Sequence, residues 1–122
     1  MEKDSTDIQA HDQNSLKGVS KMRMLLTATI PHEPFNSMVH NGTAGAVIGN
    51  ILEELKPESA YFTEEHGMRC AVFVVEVADQ SQIPKFAEPF FLSFHADCRF
   101  RIAMTPEDLD RAGLDELGQK WK

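Results

Sequence analysis

Four short runs of strand-forming residues, with helical patterns between them, constrain the fold of this chain more than any other feature. The runs cover residues 22–30, 60–63, 68–77 and 98–104. Each is rich in aliphatic, aromatic or β-branched side chains and is bounded by turn-forming residues, which is typical of strands. One helical pattern follows the first run and another follows the third. The order along the chain is therefore β-α-β-β-α-β.

This order predicts an α+β fold with a ferredoxin-like, or split βαβ, layout, in which a four-stranded antiparallel sheet carries two helices on one face. The length of 122 residues fits one domain. We assign residues 22–122 to that domain. Residues 1–20 are polar, contain no aromatic side chain and show no periodicity. The sequence therefore predicts a disordered tail there.

Turn-forming residues divide the helical patterns. The first pattern spans about residues 34–55, and Asn41 and Gly42 should kink or break it. In the second pattern Pro89 should disturb the helix. Residues 89–97 are then expected to form a connection that is unusually aromatic for a loop.

An extra helix is predicted at the C-terminus. Thr105 precedes Pro106, and Asp108 stands at the third helical position, a pattern typical of a capped helix start. Gly113 should end this helix, and a last turn or two follows it.

Alternation within the four runs divides their side chains between two faces of the sheet. The helices should cover a face that collects Met24, Leu26, Ala28, Phe62, Ala71, Phe73, Val75, Val77, Phe100, Ile102 and Met104. The other face collects Leu25, Thr27, Thr29, Tyr61, Thr63, Cys70, Val72, Val74, Glu76, Arg99 and Arg101. This second set is too apolar to stay bare in water. We expect a homodimer in which two such faces enclose a chamber for a small organic ligand.

Composition limits the partners of the chain. A formal net charge of −7 argues against a nucleic-acid surface. No apolar run has the length of a membrane span, and no N-terminal signal segment is visible. We therefore expect a cytoplasmic protein with neither nucleic acid nor membrane as a partner. Cys70 and Cys98 fall inside strands and are expected to be buried thiols in a reducing compartment.

Longer stretches of the sequence carry a resemblance to a known family. They are TIPHEPFN (29–36), AYFTEEHG (60–67), AEPFFLSFHADCRFRIAMTPEDL (87–109) and AGLDELGQKW (112–121). Over about residues 22–122 the chain resembles the dimeric α/β-barrel superfamily, and within it an uncharacterised family of small bacterial proteins. The resemblance implies a ferredoxin-like fold and a dimer, but no catalytic residues. More distant relatives of the fold include cofactor-free monooxygenases, lactone isomerases and ligand-sensing domains.

The candidate pocket residues combine cationic, hydroxyl, carboxylate and imidazole groups. They are Thr27, Thr29, Tyr61, Glu76, Arg99, Arg101, His40 and His95. The two arginines share one face of a strand, where they would bind a carboxylate or phosphate, form ion pairs with an acid such as Glu76, or simply be exposed at the sheet edge. Tyr61 and Glu76 would supply a hydroxyl and a general base, or an interface hydrogen bond. His40 and His95 would line a pocket mouth, or lie on the surface.

Metal and nucleophile chemistry have weaker support in the sequence. His95, Asp97 and Cys98 are metal-ligand types, but no HxxxH, HExxH or CxxC spacing is present. We therefore predict neither a metal nor a cofactor. Cys70 beside a histidine would be a nucleophile, and the alternative is inert packing within a strand. We assign no catalytic residue.

The sequence leaves three functional hypotheses open. The first is a homodimeric module that binds a small organic ligand and needs only shape and an anchor such as Arg99. The second is a small cofactor-free enzyme, similar to a monooxygenase or an isomerase, which needs an enclosed apolar chamber and a base. The third is a purely structural dimer, which predicts a filled space between the two sheets.

Overall fold

The computed structural model describes residues 21–122. The strands in this range are β1 (Met22–Ile30), β2 (Ser59–Glu65), β3 (Met68–Val77) and β4 (Asp97–Ala103). The helices are α1 (His32–His40), α2 (Ala44–Leu55), α3 (Ile83–Phe94), α4 (Pro106–Arg111) and α5 (Leu114–Lys120), and a 3₁₀ turn (Gln80–Gln82) precedes α3. The predicted tail, residues 1–20, lies outside the described residues.

The strands form one antiparallel sheet in the order β2-β3-β1-β4. This confirms the predicted α+β class and four-stranded sheet, and the order is compatible with a ferredoxin-like layout. A two-residue turn joins β2 to β3, with positive φ at His66 (54°) and Gly67 (80°). Such a turn matches the twist of the flanking strands, so the pairing continues to Glu65 opposite Met68.

The helix-covered face of the sheet holds the core. Leu26, Phe73 and Val75 are each 1% exposed on that face. Phenylalanines from the helices pack on them, with ring centroids 5.5 Å apart for Phe73 and Phe90. The predicted division of side chains between the two faces agrees with the strand register. Burial is incomplete at the edge strands, where Phe62 and Ile102 remain more than half exposed.

Helix α3 contradicts one prediction. Residues 83–94 form a continuous helix that passes through Pro89, so the expected aromatic loop does not exist. The reason is burial, since Phe86, Phe90 and Phe94 recur every four residues and are at most 3% exposed. Burying each ring stabilises the helix by about 1.5–3 kcal/mol, and together they outweigh a proline penalty of about 3 kcal/mol. The helix ends where His95 adopts a left-handed conformation.

The break in the first helical pattern occurs where it was predicted. Helices α1 and α2 are separated by residues 41–43, with Gly42 at a φ of 81°. The Asn41 side chain accepts hydrogen bonds from both the backbone N–H and the hydroxyl of Thr43. The first predicted helix is therefore two helices, and both pack on the same side of the sheet as α3.

The C-terminal helices begin as predicted. The Thr105 hydroxyl accepts a hydrogen bond from the Asp108 N–H (3.1 Å), and the Asp108 carboxylate accepts one from the Thr105 N–H (2.9 Å). This reciprocal cap fixes the start of α4. Gly113, at a φ of 74°, joins α4 to α5. We call residues 106–122 the C-terminal arm. Among residues 21–122, no helix combines the length and the apolar character needed to cross a membrane.

Candidate functional site

The sheet surface opposite the helices, which we call the open face, carries most of the predicted pocket residues. Thr27 lies at its centre, paired with Val72 on one side and Arg99 on the other. Thr27 and Cys70 are already buried, at 7% and 2% exposure. Leu25, Val72 and Val74 are only half-buried. The open face is therefore apolar at its centre and only partly covered by its own chain.

An ion pair crosses the open face. The Nη2 atom of Arg99 lies 2.6 Å from each carboxylate oxygen of Glu65. Because Arg99 is in β4 and Glu65 ends β2, the pair spans the two central strands. The hydrogen bond from Arg99 lowers the pKa of the Glu65 carboxyl. The acid that engages Arg99 is thus Glu65 and not the suggested Glu76, and this arginine already has an internal partner.

Tyr61 and Glu76, suggested as a hydroxyl and a general base, lie far apart within a single chain. Tyr61 pairs with Val72, four residues before Glu76 on β3, which corresponds to about 13 Å along a strand. The Glu76 carboxylate lies 3.7 Å from the Lys21 ammonium. Tyr61 itself is 66% exposed. The two groups therefore cannot act together on one small substrate within a single chain.

A depression of about 380 Å³ lies on the open face beside the ion pair. Its lining residues are Thr27, Thr63, Glu64, Glu65, Cys70, Val72, Arg99 and Arg101. Three of the predicted pocket residues, Thr27, Arg99 and Arg101, meet there. Among the described residues, no carboxylate lies within ion-pair distance of Arg101.

The other predicted pocket residues lie apart from this depression. Thr29 is further along β1, opposite Asp97. His40 ends α1 and His95 follows α3, and both imidazoles are exposed. The assignment of these two histidines to a pocket mouth remains a prediction.

A second depression, of about 350 Å³, lies on the helix side of the sheet and was not anticipated from the sequence. We call it the apolar slot. It is lined by Ile30, Phe35, Ile48, Phe62, Thr63, Arg69 and Cys70. Four of the seven lining residues have hydrocarbon side chains, and Arg69 is the one charged residue of the lining. Phe35 is buried, whereas Phe62 is 54% exposed and stands at the edge strand.

Two contacts fix Arg69 in the slot. Its guanidinium carbon lies 4.5 Å from the centre of the Phe35 ring. Its Nη1 atom donates a hydrogen bond to the Asn36 side-chain oxygen at 2.9 Å. The plane of the guanidinium is therefore set by an aromatic ring and an amide, while its other N–H groups remain as donors. The sequence did contain a signal, since alternation places Arg69 on the otherwise apolar helix-covered face.

Neither cysteine has the properties of a nucleophile. The Cys70 thiol donates to the Glu65 carboxylate at 3.5 Å, and burial together with that contact raises the pKa of Cys70. Burial raises the pKa of Cys98 to about 11. A raised pKa disfavours the nucleophilic thiolate, and this favours the packing interpretation of Cys70.

Metal-ligand side chains do not converge within the described part of the chain. In residues 21–122 no group of three or more His, Cys, Asp or Glu side chains has the geometry to hold a metal ion. The short segment that contains His95, Asp97 and Cys98 does not form such a group.

Comparison with known proteins adds no functional assignment. No protein-family model, no curated protein and no solved structure matches the chain. A function for this protein must therefore be inferred from the two depressions and the groups that line them.

Proposed function

We propose that this protein is a homodimeric small-molecule-binding module of the ferredoxin-like, dimeric α/β-barrel type, and that each copy binds a small carboxylic acid with an apolar body in the apolar slot. The observation that carries the proposal is Arg69, a cation fixed by Phe35 and Asn36 beside an otherwise apolar lining. Ligand sites are mostly apolar with a few fixed polar groups, and the slot has this composition.

The chemistry of the slot selects its ligand. Ile30, Ile48 and Phe62 offer apolar surface to a hydrocarbon or aromatic body. The arginine offers parallel N–H groups that suit a carboxylate bound through both oxygens. Since Nη1 already donates to Asn36, the guanidinium is oriented before the ligand arrives, and less conformational entropy is lost on binding.

Binding is favoured over catalysis because the slot offers no base. None of its lining residues is a carboxylate or an imidazole, and the Cys70 thiol points to Glu65 on the open face. On the open face, the Glu65 carboxylate is held by Arg99 and its pKa is lowered, so it is a weak base. A cofactor-free oxygenase or isomerase needs a group that removes a proton, which supports the binding module over the enzyme.

The open face supports the homodimer. Half-buried Leu25, Val72 and Val74 form an apolar strip that water solvates poorly. Packing of two such faces about 10 Å apart would remove that strip from water in both copies. A purely structural dimer would explain the covered face, but it gives no role to an arginine fixed in the slot on the opposite side of the sheet.

A thermal-shift titration with benzoate, phenylacetate and hexanoate tests the ligand class. Each acid is compared with its neutral amide, which has the same body without the charge. We expect at least one acid to raise Tm in a saturable way and its amide to have little effect. Arg69→Met should abolish this shift, because methionine keeps an apolar stem against Phe35 but offers no donor.

Arg101→Met is the matched control, since Arg101 lies on the open face. It should leave the shift unchanged. Loss of the shift in Arg101→Met but not in Arg69→Met would move the ligand site to the open-face depression. No saturable shift with any acid would reject the proposed ligand class.

A further inference from the structure

The C-terminal arm carries an apolar surface that its own chain does not cover. Leu109, Leu114 and Leu117 are 43%, 57% and 44% exposed, and Trp121 is 75% exposed. The helices of the arm have six and seven residues. Helices of this length are not stable in water unless an apolar face is packed against something. An ordered arm of this kind therefore requires a surface to lie on.

The arm leaves the body at the open face. Thr105 and Asp108 share a small depression with Lys21, Arg23 and Glu76. Arg23 and Glu76 form the last paired row of the open face, on β1 and β3. The arm therefore begins at the margin of the surface that the proposed homodimer would cover.

Charge complementarity indicates what covers the arm. Asp110, Asp115 and Glu116 line one depression of the arm together with apolar side chains that include Leu109 and Leu114. A surface that fits this depression offers apolar side chains and a cation. On the open face that cation is Arg101, which is exposed, lies opposite Leu25 in the sheet register and lines the same depression as Val72. The neighbouring Arg99 is held by Glu65.

Distances and areas agree with exchange of the arm between two copies. Helices of six and seven residues are about 9 and 10.5 Å long, so each can lie across about two strands of a facing sheet, which are roughly 4.8 Å apart. Four strands of seven to ten residues present a flat area of roughly 500 Å² per copy. A stable complex buries roughly 800 Å² of accessible surface per partner, and the arm adds its own apolar contact area to that of the sheet.

We infer that the C-terminal arm docks on the open face of a second copy of this chain, beside Arg101 of that copy, and that the exchange is reciprocal. The apolar residues of the arm are then buried against the partner's sheet margin, and its carboxylates face the arginine. This inference rests on the proposed homodimer and specifies the element that holds it together.

Trp121 tests the inference directly, because it is the single tryptophan of the chain. Light scattering and acrylamide quenching of tryptophan fluorescence are measured on the full chain over a dilution series. We expect a dimer whose tryptophan is quenched severalfold less than that of the unfolded chain. Dilution below the dissociation constant should restore quenching in step with the appearance of monomer.

Leu117→Glu should weaken the dimer by about tenfold or more, since it places a charge in the buried contact. Leu92→Glu, on α3, is the matched control because Leu92 is 75% exposed outside the arm, and it should leave the dimer intact. Circular dichroism on both variants checks that the body remains folded.

The outcomes separate this inference from the proposed function. A dimer in which acrylamide quenches Trp121 as strongly as in the unfolded chain would overturn the arm exchange and leave the homodimer standing. A dimer that Leu117→Glu does not weaken would do the same. A monomer with exposed Trp121 would overturn both. A monomer with protected Trp121 would show that the arm folds onto its own chain, which also overturns the exchange.

Discussion

The two faces of the sheet are built from alternate residues of the same strands and reach different degrees of burial. Leu26 and Phe73 on the helix side are 1% exposed, whereas their neighbours Leu25 and Val74 are only half-buried. Both sets are apolar, so hydrophobicity alone does not explain the difference. In this topology, α1, α2 and α3 all lie on one side of the sheet. The comparison shows that a single copy completes one core and leaves a second apolar surface uncovered.

The largest expected loss of stability comes from a substitution in the core on the helix-covered face. Phe94 is 0% exposed and packs against Phe35 with ring centroids 5.2 Å apart. Phe94→Ala should lower the free energy of unfolding by about 3–5 kcal/mol. Phe91→Ala, on the same helix at 39% exposure, should cost about 1 kcal/mol or less. Urea unfolding followed by circular dichroism at one protein concentration measures both, and equal losses would contradict the assignment of the core.

A substitution on the open face should weaken dimerisation more than it destabilises the fold of the monomer. Val72→Asp places a charge at the centre of the proposed contact between sheets. Burial of an unpaired charge costs several kcal/mol, so dimerisation should weaken by about 100-fold or more while the monomer stays folded. Val39→Asp, at a 51% exposed site on α1, is the control and should leave association unchanged. A dimer that survives Val72→Asp would place the interface elsewhere.

A smaller effect is expected at the ion pair over the open face. The pKa of Glu65 is lowered in the folded state by Arg99, so the pair stabilises the protein above the usual pKa of a glutamate. That stability is lost as pH falls through the folded-state value. Arg99→Met should therefore lower Tm slightly at pH 7, and the difference from the parent protein should shrink below about pH 4. Arg101→Met should show no such pH dependence, and a constant Arg99→Met deficit would argue against the ion pair.

The smallest expected effect is at Cys98, on the helix side of edge strand β4. Its pKa is raised to about 11 in the folded protein, against about 8.5 in an unfolded chain. The folded state therefore binds this proton more tightly, and the corresponding stability is lost as pH rises from about 9 to 11. The decline should be shallower in Cys98→Ala, as measured by urea unfolding at pH 7 and 10. An equal loss of unfolding free energy between pH 7 and pH 10 in the two proteins would contradict burial of the thiol.

Local signals in the sequence were sufficient for much of the fold. The continuous apolar run of residues 68–77 predicts a strand, and that strand appears where it was expected, directly after a turn at Gly67. Pro89 shows the limit of such signals. Its local preference is to end a helix, but three buried phenylalanines hold the helix together. Their burial depends on contacts with the distant Phe35 and Phe73, which no local pattern contains.

The candidate site was less predictable than the fold. Alternation placed Thr27, Arg99 and Arg101 on one face, and they do line one depression. The partner of Arg99 was not predictable, because Glu65 is 34 residues away along the chain and reaches it across two strands. The apolar slot was missed because its lining comes from β1, β2, β3, α1 and α2 at once.

The sequence by itself determined the order of strands and helices, the two faces of the sheet and the reciprocal cap at Thr105, because each depends on residues that are close along the chain. Only the tertiary structure decided that Arg99 is already paired, that Arg69 lies over Phe35, and that the C-terminal arm extends from the body with its apolar side uncovered. These features arise where distant segments meet, and the free energy of such contacts depends on distances and burial that a linear pattern does not specify.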